Sequence, residues 1–218
     1  MHTVSTSFTR CPPGKRDQFL GLALEAMKLF ERHGAAHTRL LQAHNAGRAS
    51  DVYALTNEFD SAEAYGRFVD ELYRDAEFEA FMARMTTPDS GLTTVSRTLE
   101  TEVPLDRSGP AQDGAIVSAY LGHPELGRFD DCRKLGRRVF TFVEAHGASN
   151  CRLFTLDSAG ARTGELMACW EFESMHAYGK ALDAWGDEPE GHSILAWLRG
   201  RDAPIIPTWS GLYRDLHM

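Results

Sequence analysis

The chain has 218 residues, 43% of them hydrophobic and 25% charged, enough to bury one large core or two small ones without a covalent staple. Its formal charge is −8, with acidic residues in both halves and no basic stripe. That balance argues against nucleic acid and against an anionic membrane surface as partners.

Thr3 to Thr9 alternates polar and apolar and reads as a strand, broken by Cys11-Pro-Pro-Gly-Lys15. From Lys15 to Arg32, Phe19, Leu22, Ala23, Ala26, Leu29 and Phe30 recur at helical spacing, and Gly34 ends the helix. His37 to Ala43 and Val52 to Phe59 read as strands joined through Asn45-Ala-Gly47. Ser61 is an N-cap for a helical segment running to about Met85 and broken near Asp75. Thr93 to Glu100 is a fourth strand.

The pattern then starts again. The second run predicts elements at Ile116–Leu121, Glu125–Ala145, Asn150–Leu156, Glu165–Phe172, Ser174 to about Arg199, and Ile205–Tyr213. Shifting the chain by 113 positions places His33-Gly34-Ala35 on His146-Gly147-Ala148, Arg39-Leu40 on Arg152-Leu153, Glu58-Phe59 on Glu171-Phe172, and Ala64-Tyr65-Gly66 on Ala177-Tyr178-Gly179. Roughly a fifth of the positions are identical without a gap, which tandem duplication explains. The expected units are residues 1–104 and 114–218, with a Pro/Gly/Ser/Asp-containing linker at about 105–113. Each has the order β-α-β-β-α-β, the ferredoxin-like unit of the α+β class. Its helices cover one face of the sheet. A tandem copy covers the other, so two units predict one closed barrel.

Two segments carry a resemblance: His33-Gly-Ala with Arg39-Leu40, Ala46-Gly47 and Glu58-Phe-Asp-Ser-Ala-Glu-Ala-Tyr-Gly66, and their counterparts from His146 to Gly179. The chain resembles the dimeric α/β-barrel superfamily over nearly its whole length, most closely the NIPSNAP-like and antibiotic-biosynthesis-monooxygenase-like members. The resemblance implies a ligand site between the sheet and the helices of one repeat. It also implies a small-molecule tailoring enzyme of secondary metabolism, a cofactor-independent oxygenase, cyclase or isomerase acting on an aromatic or polyketide-like compound. Haem binding is the alternative, and a non-catalytic ligand-binding or structural barrel is a third reading.

His37 and Arg39 lie two apart on one strand and share a face, as do Asn150 and Arg152 in the second copy. The arginines suit a carboxylate or enolate, or else cross-strand pairing with Glu58 and Glu171. His37, with no histidine at the matching position, is a candidate acid or base. Asn57 and Trp170 occupy equivalent positions, and the resemblance gives both a pocket-lining role. The candidate catalytic set is His37, Arg39 and Asn57. Glu58, Tyr65, Arg152, Trp170 and Tyr178 are candidates for substrate binding. His33 and His146 read as helix-end caps. The second copy is richer in aromatics, so it either holds an aromatic cavity or has filled its cavity.

Cys11, Cys132, Cys151 and Cys169 form no CxxC pair and no zinc-like cluster, so reduced thiols are expected, with Cys151–Cys169 the one disulfide weighed. The N-terminus lacks a signal peptide's charged and apolar regions, and no apolar run is membrane-length. The expectation is a cytoplasmic protein without metal, with a homodimer left open.

Overall fold

The first half contains β1 (Thr3–Arg10), α1 (Arg16–Arg32), β2 (His37–Asn45), β3 (Val52–Phe59), α2 (Ala62–Leu72), α3 (Ala76–Met85) and β4 (Thr93–Glu102). The second contains β5 (Ile116–Pro124), α4 (Phe129–Ala145), β6 (Ser149–Ser158), β7 (Leu166–Phe172), α5 (Met175–Asp187), α6 (Pro189–Arg199) and β8 (Ile205–Asp215). These come from a computed structural model that describes residues 1–47, 51–106 and 113–218.

The same serine cap starts α2 and α5, the matching helices of the two halves. Ser61 Oγ accepts the Ala64 N–H at 3.1 Å, and Ser174 Oγ accepts the Ala177 N–H at 3.2 Å. Each second helical segment is broken. Asp75 caps α3 by accepting the Glu77 N–H at 2.8 Å, whereas Pro189 starts α6 after Glu188. The break at Glu188 falls within the helical segment expected from Ser174 to Arg199. α1 and α4 end before Gly34 and Gly147, whose φ values of +102° and +89° disfavour a side chain.

The helix-end histidines do more than cap. His33 Nε2 lies 2.7 Å from Asp75 Oδ2, and His146 Nε2 lies 2.8 Å from Glu188 Oε1. Each ties the end of one helix to the acid that starts another, and Asp75 and Glu188 are themselves 113 positions apart.

All neighbouring strands are antiparallel, in the closed order β1-β3-β2-β8-β5-β7-β6-β4. Each half supplies four strands, and the β2–β8 and β4–β6 ladders are the seams where the halves join. Helices pack on the outside. Phe59, Phe68, Phe78 and Phe81 lie under the first helical layer, and Phe140, Trp170, Phe172 and Ile194 under the second. Leu41, Ala54, Val117, Ala119 and Tyr213 meet between the two sheets.

Of the linker expected at 105–113, residues 107–112 lie outside the described residues. Leu105 is buried in the second half's core, and its carbonyl accepts from Arg137 Nε at 2.7 Å. All four cysteines are free thiols. Cys151 packs toward the helical side and Cys169 lines the barrel interior, so the two sit on opposite faces and the weighed disulfide is ruled out. No helix among the described residues is long and apolar enough to cross a membrane.

Candidate functional site

Strand alternation divides the candidate residues between two compartments. Arg39, Glu58 and Arg152 face the barrel interior, whereas Asn57, Tyr65, Trp170 and Tyr178 lie on the helical side.

At one end of the barrel the charged residues pair crosswise. Arg39 Nη1 and Nη2 donate to the two oxygens of Glu171 at 2.7 and 2.9 Å, and Arg39 Nε donates to Asp215 at 2.6 Å. Arg152 donates to Glu58 at 2.7 Å and to Glu102 at 3.0 Å. Every partner has its counterpart 113 positions away, so each half's arginine is held by the other half's acids. Burial alone would lower both guanidinium pKa values; hydrogen bonds and charge from these carboxylates outweigh it and raise them. His37 stands at this rim, half exposed and 3.4 Å from Asp113. Asn150, in the matching position, donates to Asp113 and Glu171 at 3.2 and 2.8 Å. The structure therefore does not bring His37 and Arg39 together with Asn57.

The larger apolar compartment lies between the first half's sheet and helices. It has a volume of about 560 Å³. Phe19, Phe30, Tyr53, Phe68, Phe78 and Phe81 supply its aromatic wall, with Met82 and Met85 between them. Ser5, Ser7, Thr9 and Asn57 stud its sheet floor. Asn57 is only 3% exposed, and its Oδ1 has no hydrogen-bond partner. Tyr65 lines the same space and meets Phe59 edge to face at 5.4 Å. Arg97 lines it from an exposed position, and its side chain has no ion-pair or hydrogen-bond partner among the described residues.

In the second half, large side chains stand at the matching place. Tyr120 stacks on Trp170 at 4.8 Å, and Phe140 meets Trp170 edge-on at 6.1 Å. Tyr120 and Trp170 stand where the first half has Ser7 and Asn57. Burial and the adjacent Tyr120 push the Tyr178 hydroxyl up to about 12. Of the two readings of the second copy's aromatic excess, these contacts agree with filling.

No family model matches the chain, and no curated protein matches it. Solved structures do. A protein assigned as a monooxygenase from Lactobacillus acidophilus NCFM is 10% identical with a TM-score of 0.62, covering 99% of this chain and 93% of its own. An anthrone oxidase-like protein is 18% identical with a TM-score of 0.60, covering 99% and 91%. A heme-binding protein from Thermus thermophilus is 12% identical with a TM-score of 0.55, covering 99% and 91%. The fold is the dimeric α/β barrel, closed within one chain. In this barrel the two halves differ, one with a chamber and the other with stacked Tyr120 and Trp170 at the matching place.

Haem would need an axial side chain within the chamber. No histidine or cysteine lines it, and no cluster of three potential metal ligands occurs among the described residues. The residues present do not fit a histidine- or cysteine-ligated haem. Ser7 and Arg97 are site residues that the sequence reading passed over. Both differ from their counterparts, Tyr120 and Ser210, and that asymmetry was the available signal.

Proposed function

We propose that the dimeric α/β barrel binds a hydroxylated aromatic compound in the first-half chamber and promotes its oxidation by dioxygen without a cofactor. The observation that carries this reading is Asn57, a buried amide with an unpartnered Oδ1 on the sheet floor of a chamber whose helical wall is rich in aromatic side chains. Leaving such an acceptor unpaired costs about 1–3 kcal/mol, and a ligand hydroxyl would recover that cost. The aromatic walls suit a flat ring system.

Among the described residues, no carboxylate and no imidazole lines the chamber. Proton removal by a strong internal base therefore does not fit, which disfavours aldol-type cyclisation and isomerisation. A phenol or enol brings its own acidic proton. Arg97 offers a cation to the resulting oxyanion, while Asn57 Oδ1 accepts from a ligand hydroxyl that keeps its proton. The electron-rich anion then reduces dioxygen directly. For an anthrone, the methylene carbon becomes a carbonyl and one dioxygen yields one quinone and one water. Tyr65, which lines the same chamber, would hydrogen-bond the ring substituents in this reading. Arg39, Glu58 and Arg152 hold the halves together in this reading, and His37 is left outside the chamber.

The fold neighbours described as a monooxygenase and as anthrone oxidase-like support the reaction class. An oxygen electrode with anthrone as probe tests it. Expected is uptake matching quinone formation, above the spontaneous rate and lost on replacing Arg97 by Met. Tight binding without uptake would leave only the ligand-binding reading, and no binding of any hydroxylated aromatic would overturn both.

A further inference from the structure

A second cavity, of about 250 Å³, lies inside the barrel between the two sheets. Leu41, Ala54, Val117, Phe154, Leu156 and Tyr213 make it largely apolar. Into it projects Glu100, on β4, with only 2% of its surface exposed. Its carboxyl accepts hydrogen bonds from Thr6 at 3.4 Å and from Thr98. No lysine, arginine or histidine among the described residues forms an ion pair with it.

The repeat shows that the scaffold does not need this acid. The positions matching Glu100, Thr6 and Thr98 are Tyr213, Ala119 and Gly211. A carboxyl in an apolar cavity costs stability compared with a well-packed apolar side chain. The first half nevertheless has the acid and both of its hydroxyl donors.

We propose that the barrel interior is a second binding site, specific for a compact apolar amine, with Glu100 as the anchor for its ammonium group. Charge selects the class. At one end of the barrel five carboxylates, Glu58, Glu102, Asp113, Glu171 and Asp215, surround two guanidinium groups, Arg39 and Arg152; of these seven, Glu58, Glu171 and both arginines line the cavity. Arg10 and Arg162, which also line the cavity, are each occupied by an acid, Asp51 and Glu165. The interior therefore favours a cation and disfavours an anion. Size narrows the class further. A dry 150 Å³ cavity holds benzene, so this one takes about ten non-hydrogen atoms.

Binding should release protons. Burial pushes the Glu100 carboxyl up to about 7, against the pull of its two threonine donors and of Arg162, with Asp157 opposing. The other ionisable groups close by are Cys169, pushed up to about 12 by burial, and Tyr213, also raised by burial. Both stay neutral near pH 7, so the proton lost on taking up an ammonium comes from Glu100.

Calorimetry with phenethylamine, phenethyl alcohol and hydrocinnamate tests the proposal on the whole chain. Expected is amine binding at least about tenfold tighter than either analogue, with proton release seen as a buffer-dependent heat. Glu100→Gln should weaken the amine at least about tenfold and leave the alcohol unchanged, with folding checked by its melting curve. Ser7→Tyr with Asn57→Trp, which closes the other chamber, should leave the amine affinity intact. Hydrocinnamate matching the amine on the native chain would overturn the proposal whatever the variants do. So would amine binding lost with the closed first chamber, or no amine binding at all.

Discussion

Tyr120 lies flat on Trp170, with ring planes 12° apart, and the two occupy the volume that Ser7 and Asn57 leave open in the other half. The protein thus contains its own design for closing its chamber. The double variant Ser7→Tyr, Asn57→Trp should lose affinity for hydroxylated aromatics by at least about tenfold while its melting temperature holds or rises. Ligand titration beside a thermal melt checks this. Retained affinity would place the ligand elsewhere.

Asn57→Leu should separate stability from binding. It removes an unsatisfied buried acceptor, so the variant should gain about 1 kcal/mol in denaturant unfolding. Affinity for a phenol should fall toward that for the matching hydrocarbon. An equal loss of both properties would mean that Asn57 serves packing alone.

The crosswise arginines predict a large and specific cost. Arg39→Met leaves Glu171 and Asp215 buried without their cation and should destabilise by about 3–5 kcal/mol in urea unfolding. Replacing Glu171 by Gln in the same chain should recover part of that loss, because one of the stranded charges is gone.

Stability should fall as pH rises through neutrality. Glu100 titrates at about 7 in the fold against an ordinary 4.5, so between these values the folded chain holds more protons than the unfolded one. The loss reaches about 3 kcal/mol above the folded value, at about 1.4 kcal/mol per pKa unit. His146 adds a slope of the same sign. Burial lowers its pKa, but the Phe142 carbonyl and Glu188 raise it further, so their stabilisation is present below 6.5 and lost as pH climbs through the raised value. Urea titrations from about pH 5 to about pH 8 should show the decline, flattened in Glu100→Gln.

Much of this was legible in the chain itself. The duplication could be read from segments such as His33-Gly34-Ala35 and Glu58-Phe59, because identical backbone demands recur at one offset. Ser61 and Ser174 marked their helices for the same reason. The partner of Arg39 was legible only by type. Glu171 belongs to the other half, and nothing in the local pattern distinguishes it from Glu58. Asn57 could be singled out by its mismatch with Trp170. Whether the mismatch meant an open or a packed chamber depended on Tyr120, a third residue that reaches it only across the sheet. His37 went the other way: its strand was correct, but alternation points it into the barrel rim beside Asp113, away from the chamber.

The closed strand order also bears on how the chain can be cut. Three ladder steps separate the end of β4 from the start of β5, through β6 and β7. Three steps likewise separate the end of β8 from the start of β1, through β2 and β3, a gap of about 14 Å. The native connection from Glu102 to Ile116 therefore measures the tether needed to join Asp215 to Thr3. A circular permutant opened between Asp106 and Asp113, and sealed with a tether of that length, would keep every ladder of the barrel while exchanging the order of its halves.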